Sequence, residues 1–368
     1  MNDFKEFACP NCNSELNYDA DLICLKCEHC QSKFEIENSN EQIVENCFEN
    51  AVLNEQSNEA SLTTVQYKCH KCGQLNNISN DVVFAECANC SYNVINTKGY
   101  KLKSIHPSAI IPFTISKSTA NNIFSKWIAK GFWTESNLKH LSIIENLVGS
   151  YIPFWTFDAH TTNEWSGNAG YYYYEEESYT DADGERQTRT IQKTRWEYHE
   201  GNFEYFFDDI LVCGNNDFAQ QEINKIYPYD LSELLPLNEK YIVGWNAKAY
   251  SKDIETSFNY AASYIEKVVY NLGSEALGGD VQSGLQVDTS IYDKTYKHIV
   301  LPVWICEYLY KGKKYGFIIN GQTGKIDGNK PLSTTKIVFA ILLALIIITI
   351  VAFYYYNQQH VDPINTYY

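Results

Sequence analysis

Eight of the chain's twelve cysteines fall in four Cys-x-x-Cys pairs. Cys9 and Cys12 are followed, after fourteen residues, by Cys27 and Cys30. Cys69 and Cys72 are followed, after the same gap, by Cys87 and Cys90. A Cys-x-x-Cys turn sets two thiolates on one side of a tight knuckle, and two knuckles brought together by a hairpin complete a tetrahedral four-sulfur site. The chemistry expected is therefore binding of two Zn2+ ions, zinc being favoured over iron, which takes the same ligands. The gap is one residue short of the usual range for this pattern. Redox dithiols or disulfides would leave the pairing of pairs at a fixed gap without a reason.

The two sets are offset by 60 residues, and the alignment extends past the ligands: Asp21-Leu22-Ile23 falls over Asp81-Val82-Val83, Phe34 over Val94 and Phe7 over Tyr67. This is an internal duplication of a zinc-ribbon unit. It bears on the run CLKCEHC (24–30), which holds three cysteines. Cys27 and Cys30 align with Cys87 and Cys90, whereas Cys24 aligns with Phe84. Cys24 is accordingly expected to be a small strand hydrophobe and not a ligand. His29 and His70, inside the knuckles, are expected to point away from the metal.

The elements around these ligands follow from the rest of the chain. Residues 1–37 read as ribbon 1, 38–66 as a linker and 67–98 as ribbon 2. The linker is rich in Asn and Glu; Ile43, Val44, Cys47, Phe48 and Val52 allow a short amphipathic helix, and a flexible connection with one nascent helix is an equal reading. Residues 100–330 read as an α+β antiparallel domain, consistent with 15% aromatic residues, which suit pleated, half-buried surfaces. Within it, 110–115 and 146–161 are strand-like, and Ser118 is expected to cap a helix ending at Gly131. Residues 186–201 alternate, with Thr190, Thr194, Trp196 and Tyr198 on one face and Lys193, Arg195 and Glu197 on the other. The intervening NAGYYYYEEESYTDAD reads as a long hairpin tip. Residues 251–273 have helical spacing and an expected stop at Gly273. Residues 300–326 form a hairpin turning at Lys311-Gly312-Lys313, with a second turn at Asn320-Gly321. Ile152-Pro153-Phe154-Trp155 and Leu301-Pro302-Val303-Trp304 resemble one another and suggest duplicated core strands.

Lys336 is followed by IVFAILLALIIITIVAFYYY (337–356), twenty uncharged residues, the length that crosses a hydrocarbon core. Tyr354–Tyr356 suit an interfacial aromatic belt. Lys325, Lys330 and Lys336 precede the span, and the tail 357–368 has no Lys or Arg. Positive-inside then places the bulk of the chain in the cytoplasm and a short extracytoplasmic tail outside, like a tail anchor. The N-terminus lacks the apolar region of a signal peptide, and reduced thiolates suit the same compartment.

Net charge is −16, and residues 1–100 hold six Lys, no Arg and fifteen acidic residues. Such a surface repels phosphate backbones, which counts against nucleic acid as partner. NGQTGK (320–325) lacks the glycine and the Ser/Thr of a phosphate loop, and no hydrolase, metalloprotease or kinase motif is found. Asp158 and His160 alternate onto one face and could form a structural hydrogen bond. Cys213 and Cys306 read as core residues. No enzyme is expected.

The stretches IHPSAIIPFTISKSTANNIFSKW, VGSYIPFWTFDAH and LPVWICEYLYKGKKYGFIINGQTGKIDG resemble a bacterial family of membrane proteins with N-terminal TFIIB-like zinc ribbons, often labelled primosomal helicase-like. A related group sits in Gram-positive envelope-stress operons and anchors an SPFH-domain protein, and through it a phage-shock-protein-A homologue, to the membrane. The resemblance covers residues 1–36 and about 104–330. The second full ribbon and the YYYYEEE insertion depart from it. It implies a membrane-anchored zinc-ribbon adaptor or scaffold for SPFH- or phage-shock-type partners; the alternative is a tethered zinc-ribbon nucleic-acid binder.

Overall fold

A computed structural model describes residues 4–5, 7–39, 41–56, 64–69, 72–79, 84–90, 93–96, 105–131, 133–134, 147–180, 182, 184–248 and 250–359. Its largest feature is a sheet whose three longest strands run far beyond the domain body. Strand β11 (Val148–Thr180) pairs antiparallel with β12 (Arg186–Cys213) on one side and β15 (Val281–Tyr310) on the other. At about 3.3 Å per residue, the 33 residues of β11 span roughly 100 Å.

The body of the sheet is completed by short strands. β10 (Ala109–Ile110) lies parallel to β15 and antiparallel to β13 (Leu235–Pro236), and β14 (Asn246–Ala247) lies parallel to β11. β16 (Lys313–Asn320) returns antiparallel to β15 and then pairs with β17 (Ile326–Gly328). The Lys311-Gly312 turn uses two left-handed residues, φ 50° and 78°, as two-residue hairpins favour. The two Pro-x-Trp segments lie side by side, Ile152 opposite Leu301. Each proline sits where the next strand has ended, so its missing N–H breaks no ladder: Pro153 accepts from the Gly214 N–H (2.9 Å) and Pro302 from that of Gly321 (2.8 Å).

Helix α2 (Lys117–Ala129) is capped by Ser116 rather than Ser118: the Ser116 hydroxyl accepts the Thr119 N–H. The short α3 (Gln220–Asn224) follows β12. Helix α4 (Ile254–Leu277) covers the extended sheet with Ile254, Phe258, Ala261, Ile265 and Val269. It does not stop at Gly273 but at Gly278, whose φ is 68°. Gly273 lies within the helix because a Cβ there would come 2.8 Å from Val287 on the sheet beneath. The glycine is a close-packing residue, not a terminator.

Two bulges at one level bend the long sheet. The β11–β12 register slips between Phe157 and Ala159, and the β11–β15 register slips between Asp158 and His160. Asp209 and Asp293 take left-handed conformations there, φ 51° and 49°. Helix α5 (Thr334–Gln359) follows β17, and its span Thr334–Tyr356 is long and apolar enough to cross a membrane and is not buried against the rest of the chain.

The N-terminal third is woven into this body. β2 (Leu16–Asp19), β3 (Cys24–Cys27) and β4 (Lys33–Phe34) make an antiparallel sheet. The segment read as a linker contributes β5 (Asn46–Cys47), which pairs with Thr295 and Tyr296 of β15, and α1 (Phe48–Gln56). Phe48 and Ala51 are buried in the core beneath α4, with the Phe48 ring 4.7 Å from that of Phe258. At residues 46–56 the chain is thus a docked element, not a flexible connection. The second cysteine set is framed by β6 (Thr64–Lys68), β7 (Leu75–Ser79), β8 (Phe84–Glu86) and β9 (Asn93–Asn96). The N-terminal β1 (Phe4–Lys5) pairs with β9, so it belongs to the sheet of the second set although it was expected with the first.

Candidate metal centres

Three of the four knuckles share one local geometry. In each of these, the backbone oxygen of the first cysteine accepts the N–H of the residue after the second: Asn13 to Cys9 (2.8 Å), Gln31 to Cys27 (2.9 Å) and Gly73 to Cys69 (2.7 Å); the residue after Cys90 lies outside the described residues. The donating residue is left-handed each time, with φ 61°, 62° and 76°. Asn and Gly tolerate that conformation readily. The turn curls the chain so that both thiolates face inward.

The turns bring each set of four sulfurs together, all within 4.8 Å of one another. Cys9 lies 3.5 Å from Cys30 and Cys12 3.5 Å from Cys27. Cys69 lies 3.6 Å from Cys90 and Cys72 3.5 Å from Cys87. Four sulfurs about 2.3 Å from a central ion stand about 3.8 Å apart in a tetrahedron. Both groups therefore suit one tetrahedral metal ion such as zinc. Four thiolates complete the coordination and leave no open position, which is the mark of a structural site.

The surroundings favour thiolates at several ligands. Hydrogen bonds from Ser14 hold Cys12 down to about 5. Those from Ser32 hold Cys30 below the usual thiol range, and the Gln74 backbone does the same for Cys72. Burial works against the Cys87 thiolate, but the Asn89 and Cys90 N–H groups outweigh it and bring Cys87 to about 6. The Asn76 side chain adds a contact to the Cys87 sulfur at 3.5 Å. Cys27 is the exception: the Cys30 N–H favours its thiolate, yet burial and the neighbouring Cys12 push it up to about 11. A bound cation would reverse that preference. Ser14, Ser32, Gln74 and Asn76 were not singled out from sequence, because hydrogen bonds to sulfur leave no pattern of spacing.

Cys24 is buried outside the four-sulfur group, and burial raises its thiol. His29 is exposed on its knuckle, and His70 lies outside the described residues.

The two centres are seated differently. Cys9 and Cys27 belong to one hydrophobic cluster with Leu16, Tyr18 and Leu25 of the first set and Phe113, Phe124 and Trp304 of the central domain. Tyr18 is the joint. Its N–H donates to Val243 O (2.9 Å), its hydroxyl to Phe113 O (3.0 Å), and its own carbonyl accepts from Trp245 Nε1 (3.0 Å). The second centre has a small cluster of its own, Tyr67, Cys69 and Cys87, with Cys90 against it.

A third group combines Glu45, Asp158 and Asp209. Lys297 occupies it, pairing with Glu45 and with Asp209 (2.7 Å). Asp158 accepts the Asp209 N–H (2.7 Å) and the Thr295 hydroxyl (3.1 Å). The carboxylates are thus used internally, as a charge latch that holds the Glu45 segment against the bulged sheet. Asp158 is spent on these partners, while the His160 ring stacks on Tyr292 at 5.7 Å. Cys213 and Cys306 are buried, as expected of core residues.

Fold and site together define a chain with two four-cysteine groups that could each hold a metal ion, a sheet-rich antiparallel central domain and one apolar C-terminal helix. No family model matches it. It is similar to the uncharacterized protein YdjG of Bacillus subtilis (strain 168), 28% identical over 338 residues, covering 90% of this chain and 91% of that protein. No solved structure matches.

Proposed function

We propose that the chain is a membrane-anchored adaptor: two zinc-bound knuckles and the α+β domain form a cytoplasmic scaffold that recruits protein partners to the bilayer, and α5 crosses the membrane with a short tail outside. The observation that carries this reading is the continuity between the first metal centre and the start of α5. The cluster that buries Cys9 and Cys27 also contains Phe124 and Ile128 of α2, with Trp127 packed against it. Lys330, just before α5, lies over the Trp127 ring at 4.0 Å and donates to Trp127 O (2.5 Å). Lys336 donates to Thr134 O (2.9 Å), and Ser333 N–H to Trp133 O (2.8 Å). A metal-built surface fixed to the root of an apolar helix suits a tether whose geometry matters. Closed four-thiolate sites suit binding surfaces rather than catalysis. The lysines before α5 favour the cytoplasmic side for the body.

The resemblance to zinc-ribbon anchors of envelope-stress operons makes SPFH-domain and phage-shock-type proteins the expected partners. The test is affinity capture of the full chain from detergent-solubilised membranes, followed by mass spectrometry. Enrichment of such a partner, lost in Cys27→Ser, supports the proposal. Recovery of the chain from the soluble fraction, or from membranes with no such partner, contradicts it.

A further inference from the structure

The two edges of the long sheet are treated differently. The β15 edge is interrupted at Asp293 and Gly284, both left-handed, and is partly covered where β5 pairs with Thr295 and Tyr296. Bulges and cover strands of this kind prevent a sheet edge from pairing with another chain. The β12 edge has neither over most of its length. From Ala159 opposite Phe207 to Thr180 opposite Arg186, its register on β11 is unbroken, and among the described residues no strand pairs with its outer side. Beyond Gly170, where β15 ends, residues 171–180 and 186–195 form only a two-stranded ribbon, and α4 has stopped at Leu277. A lone two-stranded ribbon is at best marginally stable in water.

The charges of that edge strand are segregated. All three arginines of the chain, Arg186, Arg189 and Arg195, lie with Lys193 in its first ten residues. The next stretch carries Glu197, Glu200 and Glu204 and no Lys or Arg. Laid parallel on itself, such a strand opposes like charges. Laid antiparallel on a copy, it opposes unlike ones, and cross-strand charge pairs respond to that difference. Because opposed residues must lie on the same face, only alternate registers are possible. The register centred on Glu197 opposes Glu197 with itself, and the one centred on Arg195 sets Lys193 against Glu197 and Arg186 against Glu204 but opposes Arg195 with itself. The register centred on Trp196 opposes Arg195 with Glu197 twice, once on each side of the axis, and opposes no like formal charges.

We propose that the outer edge of β12 pairs with the same edge of a second copy of this chain, antiparallel, about a two-fold axis at Trp196. In this arrangement residues 186–195 of each copy lie against residues 197–206 of the other. The unsupported ribbon of one copy is then braced by the three-stranded, helix-backed sheet of its partner. The contact is isologous and closes at a dimer. Exposed Trp196 and Tyr198 lie at its centre.

The full chain in detergent micelles tests this by mass photometry and crosslinking. The expected result is a dimer whose dissociation constant rises about tenfold or more in Arg195→Glu, which places Glu against Glu197 at both symmetric positions, and recovers in the swap Arg195→Glu/Glu197→Arg. Arg195 is a surface residue, so the single variant folds, and recovery in the swap excludes general damage. In a Cys47→Ser background, Trp196→Cys is expected to give a covalent dimer on mild oxidation, whereas Gln286→Cys on the β15 edge is not. A monomer at tens of micromolar, a dimer indifferent to Arg195→Glu, or equal crosslinking at 196 and 286 would overturn the proposal.

Discussion

The unequal seating of the two metal centres makes their removal unequal. The perturbation is Cys27→Ser compared with Cys87→Ser in the full chain. Losing the first metal releases the Tyr18 joint. Three hydrogen bonds between the knuckle and the central domain are lost, each worth about 1 kcal/mol net. The buried side chains of Leu16 and Tyr18 are exposed as well, at about 2 kcal/mol each. With allowance for context, the central domain should lose about 3–7 kcal/mol, which for a domain of its size lowers the melting temperature by roughly 10–20 °C. Losing the second metal disrupts, among the described residues, the small cluster of Tyr67, Cys69 and Cys87 and should move the same transition by less, about 2 °C. The assay is tryptophan fluorescence during heating of the detergent-solubilised protein. It reads the right part of the molecule, because all seven tryptophans lie between Trp127 and Trp304, outside both knuckles. Equal shifts in the two variants, or no shift in Cys27→Ser, would refute the reasoning.

Two further perturbations follow from buried groups. His298 is enclosed, its ring stacked on Trp155 at 4.5 Å, and burial holds its imidazole down to about 4 from an ordinary 6.5. The unfolded chain takes up that proton below pH 6.5 and the folded chain does not, so stability is intact above 6.5 and falls towards pH 4, by about 3 kcal/mol at the lower end. His298→Gln should flatten the difference between denaturant midpoints at pH 7 and pH 4.5; an unchanged difference would assign the acid sensitivity elsewhere. Phe48→Ala should cost about 3–4 kcal/mol and make residues 46–56 exchange amide hydrogens faster than the rest of the body. Exchange unchanged in that segment would show that Phe48 does not hold α1 in place.

What was legible in the sequence was what local chemistry dictates. The two four-cysteine groups could be read because a chelating turn needs two cysteines at fixed spacing. Residues 168–183 look like a hairpin tip because YYYYEEE does not alternate, yet 168–180 pair residue by residue with 186–198 of β12. The misreadings come from contacts made at long range. Gly273 looks like a helix stop until Val287, on a strand that follows, is seen to occupy its Cβ space. Ser118 and Ser116 are equally good caps by composition, and the chain's path into α2 decides between them. The polar segment around Phe48 looks like a linker because its binding place, between Phe157 and Phe258, is assembled from residues over a hundred positions away. The latch of Lys297 on Glu45 and Asp209 depends on bulges that no periodicity announces.

The most direct test of two closed four-thiolate centres is metal content per chain by elemental mass spectrometry, on the wild type and on Cys24→Ala, Cys27→Ala and Cys87→Ala. Two ions are expected in the wild type and in Cys24→Ala, and one in each of the other two. Fewer than two in the wild type, or equal loss in Cys24→Ala and Cys27→Ala, would contradict the account.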